Sequence, residues 1–412
     1  MKKLQSTTCA LAVLGMAATA PLANAAAASD VNLYGYLSWR VEKVWDEPAL
    51  DEAGETVKAD ADREITLPSF NVMLQYALDD RFKVFVNLDG EEAEDVSVAN
   101  LWGEYQHNQY LNVRLGKTYR RFGLYNEMLD AVPTYIGIEA PELFDGDHLL
   151  ISRTTLAMVH GWVPLGDGEL RYSWSTDNGE GGPNDDNVPM GFDLRYDWGL
   201  GNYRVGISGY TSNGDTTSDV DLGEGSPNSG VLPWMAADDF YIIGAYGELN
   251  RDGWQLQAAY WHASHDAERD PASVVTVIQN AGVNAAQLDR FLLDPDGPVT
   301  EANVDVDGDY DVDTWYLRGG YSFMTRRGEV VPYVQWDYYE NPETIESKTW
   351  GGDAEAGLAD DGEFSKATVG VVFRPSPDIA MKLDASMHIQ EFNGSTERYP
   401  EIRFDVSYIF GR

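Results

Sequence analysis

Apolar and aromatic residues occupy every second position over long stretches of this chain. FDLRYDW (192–198), WQLQAAYW (254–261), MKLDASM (381–387) and RFDVSYIF (403–410) show the period clearly. Period two belongs to a β-strand with one face against an apolar phase and the other against water. Sixteen such segments are predicted, near 31–45, 65–78, 81–89, 98–107, 110–117, 149–162, 168–177, 190–198, 201–211, 238–249, 253–263, 311–323, 329–340, 363–374, 378–391 and 399–410. The fold class is therefore all-β. After the first residues no stretch reaches the roughly 18 consecutive apolar residues of a membrane helix. If the apolar phase is lipid, only a barrel closed on itself satisfies every backbone group.

The connections alternate in length. Tight turns are predicted at Asp79-Asp80, Asn108, Gly166, Gly199-Leu200-Gly201, Asp252-Gly253, Arg327-Gly328 and Pro375-Ser376-Pro377, where Gly, Asn, Asp and Pro supply hairpin backbone angles. Long polar segments lie between them at 46–64, 90–97, 118–148, 178–189, 212–237, 264–309 and 341–362, with a short one at Asn393-Gly394. The even strand count and this asymmetry predict a transmembrane antiparallel barrel with short periplasmic turns and long extracellular loops. A barrel of about 16 strands leaves an aqueous channel, whereas about eight strands would be filled by side chains.

The N-terminus fits export. Lys2 and Lys3 precede the apolar run ALAVLGMAATA, and Ala23-Asn24-Ala25 offers a small-x-small cleavage site. Residues 1–25 are read as a signal peptide and 26–412 as a single outer-membrane barrel. The one cysteine, Cys9, lies in the signal, which removes disulfides and thiol chemistry from the mature chain. A formal charge of −39 makes nucleic acid an unsuitable partner, since phosphate binding needs clustered Lys and Arg. Outer-membrane lipids, lipopolysaccharide and small polar solutes are the expected partners, and no cofactor is expected.

Alternation sorts the side chains by face. Leu33, Leu37, Trp39, Phe70, Val72, Leu74, Phe82, Val84, Phe192, Leu194, Leu383 and Phe404 are predicted to point outward. Arg40, Arg171, Arg195, Arg204, Arg318, Lys382 and Arg403 fall on the opposite face, with Arg81, Lys83, Glu104, Asp193, Lys366, Asp384 and Asp405. Charges of both signs on an inner face require that face to be wet. This implies a water-filled channel for passive diffusion of small polar or charged solutes. A non-conducting adhesion or structural barrel with acidic outer loops is the alternative of another class.

The segment after the fifth strand, KTYRRFGLYNEMLDAVPTYIGIEAPELFDGDHL, is long, partly apolar and rich in aromatics. Residues 118–148 are therefore predicted to fold into the lumen. The segment carries Glu127, Asp130, Glu139, Glu142, Asp145 and Asp147, and Arg114, Lys117, Arg120, Arg121 and Arg153 stand at its roots. Acids facing bases across a narrow, low-dielectric gap set up a transverse field that sieves ions and polar solutes.

Together these features resemble the Gram-negative porins of the sixteen-strand type. RLGKTYRRFGLYNE (114–127) is similar to a strand-end segment of the phosphate-selective O/P-type porins. Gly116, Lys117 and Arg121-Phe122-Gly123 match, although the proline those relatives carry before Phe-Gly is missing. The resemblance implies a trimeric, water-filled channel narrowed by its third loop. Phosphate selectivity would need an unbroken basic ladder, which the interleaved acids deny. Phe410 is followed by Gly411-Arg412, whereas porins tend to end on Phe.

Asp305, Asp307 and Asp309 offer oxygen ligands at spacing suited to Ca²⁺, but Gly308 is misplaced for an EF-hand and no closing Glu follows. His262, His265 and Asp266 make a second, fainter metal candidate. None of the six histidines sits in a Ser-His-Asp arrangement, so no enzyme is expected.

Overall fold

The computed structural model describes residues 31–50, 56–91, 94–126, 131–141, 153–177, 188–214, 232, 234–281, 285–343, 363–392 and 395–411. The predicted signal and Cys9 lie outside the described residues. Among these residues the chain forms one antiparallel sheet that closes on itself, with sixteen staves. They are β1 (Val31–Val44), β2 (Glu64–Ala77), β3 (Phe82–Glu91), β4 (Glu94–Asn108), β5 (Leu111–Tyr119), β6 (Arg153–Leu165), β7 (Gly168–Asp177) and β8 (Met190–Trp198). β9 (Tyr203–Gly214), β10 (Met235–Arg251), β11 (Trp254–Arg269), β12 (Tyr310–Tyr321), β13 (Gly328–Glu340), β14 (Glu363–Ser376), β15 (Ile379–Phe392) and β16 (Ser395–Phe410) complete the ring. Phe323–Thr325 continues β12 beyond a break at Ser322, because both pieces pair with β13. Closure is made by β1, which pairs β2 on one side and β16 on the other.

Each predicted strand overlaps one stave. The differences lie at the long-loop end, where β10 and β11 run for 17 and 16 residues. Crossing a membrane at a tilt takes about 9–11 residues, so these hairpins project beyond the hydrocarbon. At the other end, side chains cap the turns. Asp79 accepts the amides of Arg81 (2.8 Å) and Phe82 (2.7 Å), and Asn108 those of Tyr110 (2.8 Å) and Leu111 (2.9 Å). Arg81 lies in that turn rather than on the lumen wall.

The distribution of side chains is inverted relative to a water-soluble protein. Leu383 is 46% exposed while its neighbours Lys382 and Asp384 are 0% and 6% exposed. Likewise Leu317 is 57% exposed and Arg318 is 1% exposed. A soluble fold would bury these leucines, because each fully buried leucine side chain stabilises by about 1.5–3 kcal/mol. An apolar solvent around the cylinder reverses that preference. No described helix is long and apolar enough to cross a membrane.

The long loops carry structure of their own. Glu47–Leu50 and Thr56–Ala59 form a small hairpin. The segment after β11 contains α1 (Pro271–Ala281) and α2 (Ala285–Phe291). Val274, Ile278, Phe291 and Leu292 pack into one buried cluster with Trp234 and with Tyr310, Val312 and Tyr339 of the wall. Arg269 fixes this cap to the loop after β13 through Glu343 (2.7 Å), which also accepts from the Trp234 indole at 3.2 Å.

Candidate pore constriction

The chain leaving β5 turns inward at once. Arg120 donates to Asp177 at the end of β7 (2.6 Å) and stacks 4.1 Å from the Tyr210 ring on β9. Its carbonyl accepts from Asn126 (2.7 Å), which closes residues 120–126 into a tight arch. The Gly123 amide donates to Ser208 of β9 (2.9 Å), and Phe122 lies 5.4 Å from Trp261 of β11. Tyr125 donates to Gln257 of β11 and accepts from Arg318 of β12. Burial raises the Tyr125 hydroxyl to about 12, although the Arg318 charge opposes the rise.

Residues 131–141 then dock on the wall made by β12–β16 and β1. The Ile138 amide donates to Asp384 (2.9 Å), Lys382 donates to the Gly137 carbonyl, and Arg374 to the Tyr135 carbonyl (3.3 Å). Arg318 donates to the Glu139 carbonyl at 3.2 Å. The Glu139 carboxylate is clasped by three cations: Arg40 of β1 (2.9 Å), Lys366 of β14 (3.3 Å) and Arg403 of β16. Burial alone would raise the Glu139 carboxyl, but Arg403, Lys366 and Arg40 outweigh it and hold it well below the ordinary glutamate range.

The loop therefore spans the bore from the β9–β12 side to the β14–β1 side. The β9–β12 half is filled by Tyr125, Tyr210, Tyr246, Trp261 and Tyr316, a buried aromatic cluster continuous with the α1–α2 cap. Below the loop, a cavity of about 680 Å³ opens between Thr134, Tyr135 and Ile136 and the wall residues Arg204, Glu248 and Gln257. A second, of about 380 Å³, lies against β1–β5.

The candidates from the sequence divide accordingly. Arg40, Arg171, Arg195, Arg204, Arg318, Lys382 and Arg403 all face the lumen. Asp197 is shared by Arg171 (3.1 Å), Arg195 (3.3 Å) and Arg204 (3.0 Å), and Arg204 also reaches Glu248 at 2.8 Å. These ion pairs link β7, β8, β9 and β10 across the lumen face. Arg114 faces the lumen, paired with Glu104 at 2.9 Å, and Glu104 also meets His160 (3.0 Å).

Lys117 is a correction. It stands opposite Leu101 and next to Leu115 on the outer face, because the lumen-facing residues of β5 are the even-numbered ones. Arg120 is inside but only 2% exposed and pinned by Asp177, so it anchors the loop and does not face a solute. Arg121 follows it, half-buried. Arg153 opens β6 opposite Tyr119, and its side chain, with Glu127, Asp130, Glu142, Asp145 and Asp147, lies outside the described residues. Asp305, Asp307 and Asp309 turn their carboxylates onto the amides of Asp307 (3.2 Å), Asp309 (3.4 Å) and Ala267 (2.9 Å). They form no common cage, and no cluster able to hold a metal occurs among the described residues.

The inward aromatics were missed from the sequence. The available signal is adjacent rings, Tyr260-Trp261, Trp315-Tyr316 and Tyr338-Tyr339, which break strict alternation by putting apolar bulk on both faces.

A family model described as Gram-negative porin matches residues 10–388. No curated protein sequence matches the chain. Among solved structures, the outer-membrane channel DcaP of Acinetobacter baumannii superposes with a TM-score of 0.57 at 11% identity, over 92% of this chain and 97% of that one. An anion-selective porin from Comamonas acidovorans gives 0.55 at 14% identity, over 92% and 99%. The trimer form of OmpT from Vibrio cholerae gives 0.52 at 12%, again over 92% and 99%. At these identities the likeness is one of fold.

Proposed function

This chain belongs to the Gram-negative porin family, a passive diffusion channel of the outer membrane, and we propose that the loop after β5 sets what passes. In this reading the loop and the β12–β16 wall form one side of the constriction. Small polar and charged solutes move down their gradients past Glu139 and the bases that hold it. The observation that carries the reading is the clasp of Glu139 by Arg40, Lys366 and Arg403, which bonds a loop residue to three strands inside the bore. Fixed charges lining a narrow gap act on a passing ion far more strongly than the same charges in open water. The reading includes no covalent step. Three copies are the expected assembly, as in the trimeric relative of the same fold.

The test uses the absence of cysteine from the chain beyond Cys9. Ala140→Cys places one thiol beside Glu139, next to Lys366 and Arg403. Refolded protein in a planar bilayer should give stable ohmic steps, and a bulky water-soluble thiol reagent should lower each step. Unchanged steps after complete labelling would remove the loop from the solute path. A well-inserted but silent barrel would count against a pore and for an adhesion role.

A further inference from the structure

One stretch of the lumen wall built by β1–β5 sets aromatic rings among polar residues, Gln75, Asn100 and Thr118, of the kind expected in a water-filled bore. Tyr34 and Tyr36 of β1, Phe85 of β3 and Trp102 of β4 point inward, and Tyr119 at the end of β5 bounds the same space. The space measures about 380 Å³, within the roughly 300–1,000 Å³ of small-molecule sites. The rings are ordered against one another. Phe85 and Trp102 stack at 5.1 Å with 24° between their planes, and Tyr34 meets Tyr36 edge-on at 6.3 Å. Gly116 stands opposite Trp102 on β5 and adds no side chain there. The Arg114 guanidinium reaches over from the next row to 4.1 Å from the Trp102 ring.

That next row carries the charge. Lys83, Glu104 and Arg114 are cross-strand neighbours on β3, β4 and β5. Two cations thus stand against one carboxylate, and Glu104 is already shared among Arg114, His160 and Gln106 (2.8 Å). The niche presents aromatic faces and, one step toward the periplasmic turns, an excess of positive charge. A planar apolar body with one anionic end matches both halves.

We propose that this niche is a transit binding site for aromatic monocarboxylates. The ring lies against Phe85, Trp102 and Tyr36, and the carboxylate is directed toward Arg114 and Lys83. The inference goes beyond sieving, since it requires a solute to dwell in the channel, and it rests on the lumen being open to solutes.

Single-channel recording of the full barrel tests it, with benzoate, benzamide and acetate added at equal concentration. Benzoate should interrupt the current in resolved blocks, benzamide less often, and acetate not at all. Trp102→Ala should shorten the blocks roughly tenfold, the scale of one aromatic contact, while Trp102→Phe keeps most of the dwell time. A channel that conducts normally but treats benzoate like acetate overturns this inference and leaves the pore reading standing. Blocks of unchanged length in Trp102→Ala overturn it equally.

Discussion

Glu139 shows how one residue decides the shape of the bore. Three cations converge on its carboxylate, and truncating one partner of a buried charge network leaves the others uncompensated, at about 3–5 kcal/mol. With 28% of its side chain exposed, Glu139 belongs at or below the lower end of that range. Glu139→Gln should therefore raise open-channel noise and shift the reversal potential in a salt gradient toward anions. An unshifted potential would mean that these charges lie off the ion path. The clasp also has a defined pH dependence. Because the folded carboxyl is depressed, its stabilisation is complete above the ordinary glutamate value of about 4.3 and is lost as pH falls below it. Conductance should be insensitive to this group between pH 5 and 7, and a transition within that window would contradict the assignment.

At the scale of the strand, alternation does most of the work. On β15, Lys382, Asp384 and Ser386 face inward while Met381, Leu383 and Met387 face lipid. A cation moved by a single position changes solvent. Leu383→Arg should cost about 2–4 kcal/mol, the figure for a basic residue on the lipid face near the midplane. Urea unfolding in lipid vesicles reads that loss, and a variant as stable as wild type would place Leu383 away from the hydrocarbon. Lys117 obeys the same rule, which is why its sequence neighbourhood misleads. Its place at the root of the loop suggests a loop residue, but its parity puts it outside. The loops do not follow period two. Good helix formers, Ala, Gln, Leu and Arg, make up α2, while α1, with its β-branched Val-Val-Thr-Val, carries no comparable local signal.

At the scale of the molecule, the barrel turns its apolar surface outward and closes around a lumen that is only partly open. The aromatic fill on the β9–β12 side and the docked loop narrow the bore, and among the described residues cavities open on the β1–β5 side and in the vestibule below the loop. The outer surface is where copies of the chain would meet. Chemical cross-linking in native membranes should yield a species of three times the mass of one chain, and pairs or single chains alone would refute the trimer.

The sequence by itself determined the staves, their parity, the short and long ends, and the inward folding of the third loop, because each follows from period two, turn residues or local composition. It placed the wall arginines on the lumen side for the same reason. Which of them hold Glu139 was decided only by tertiary structure. Arg40, Lys366 and Arg403 come from staves far apart in the chain, brought together when β1 closes the ring against β16. The aromatic niche likewise exists because Tyr34, Phe85 and Trp102 come to line one space across neighbouring strands, and alternation within any one strand is silent about what its neighbours present.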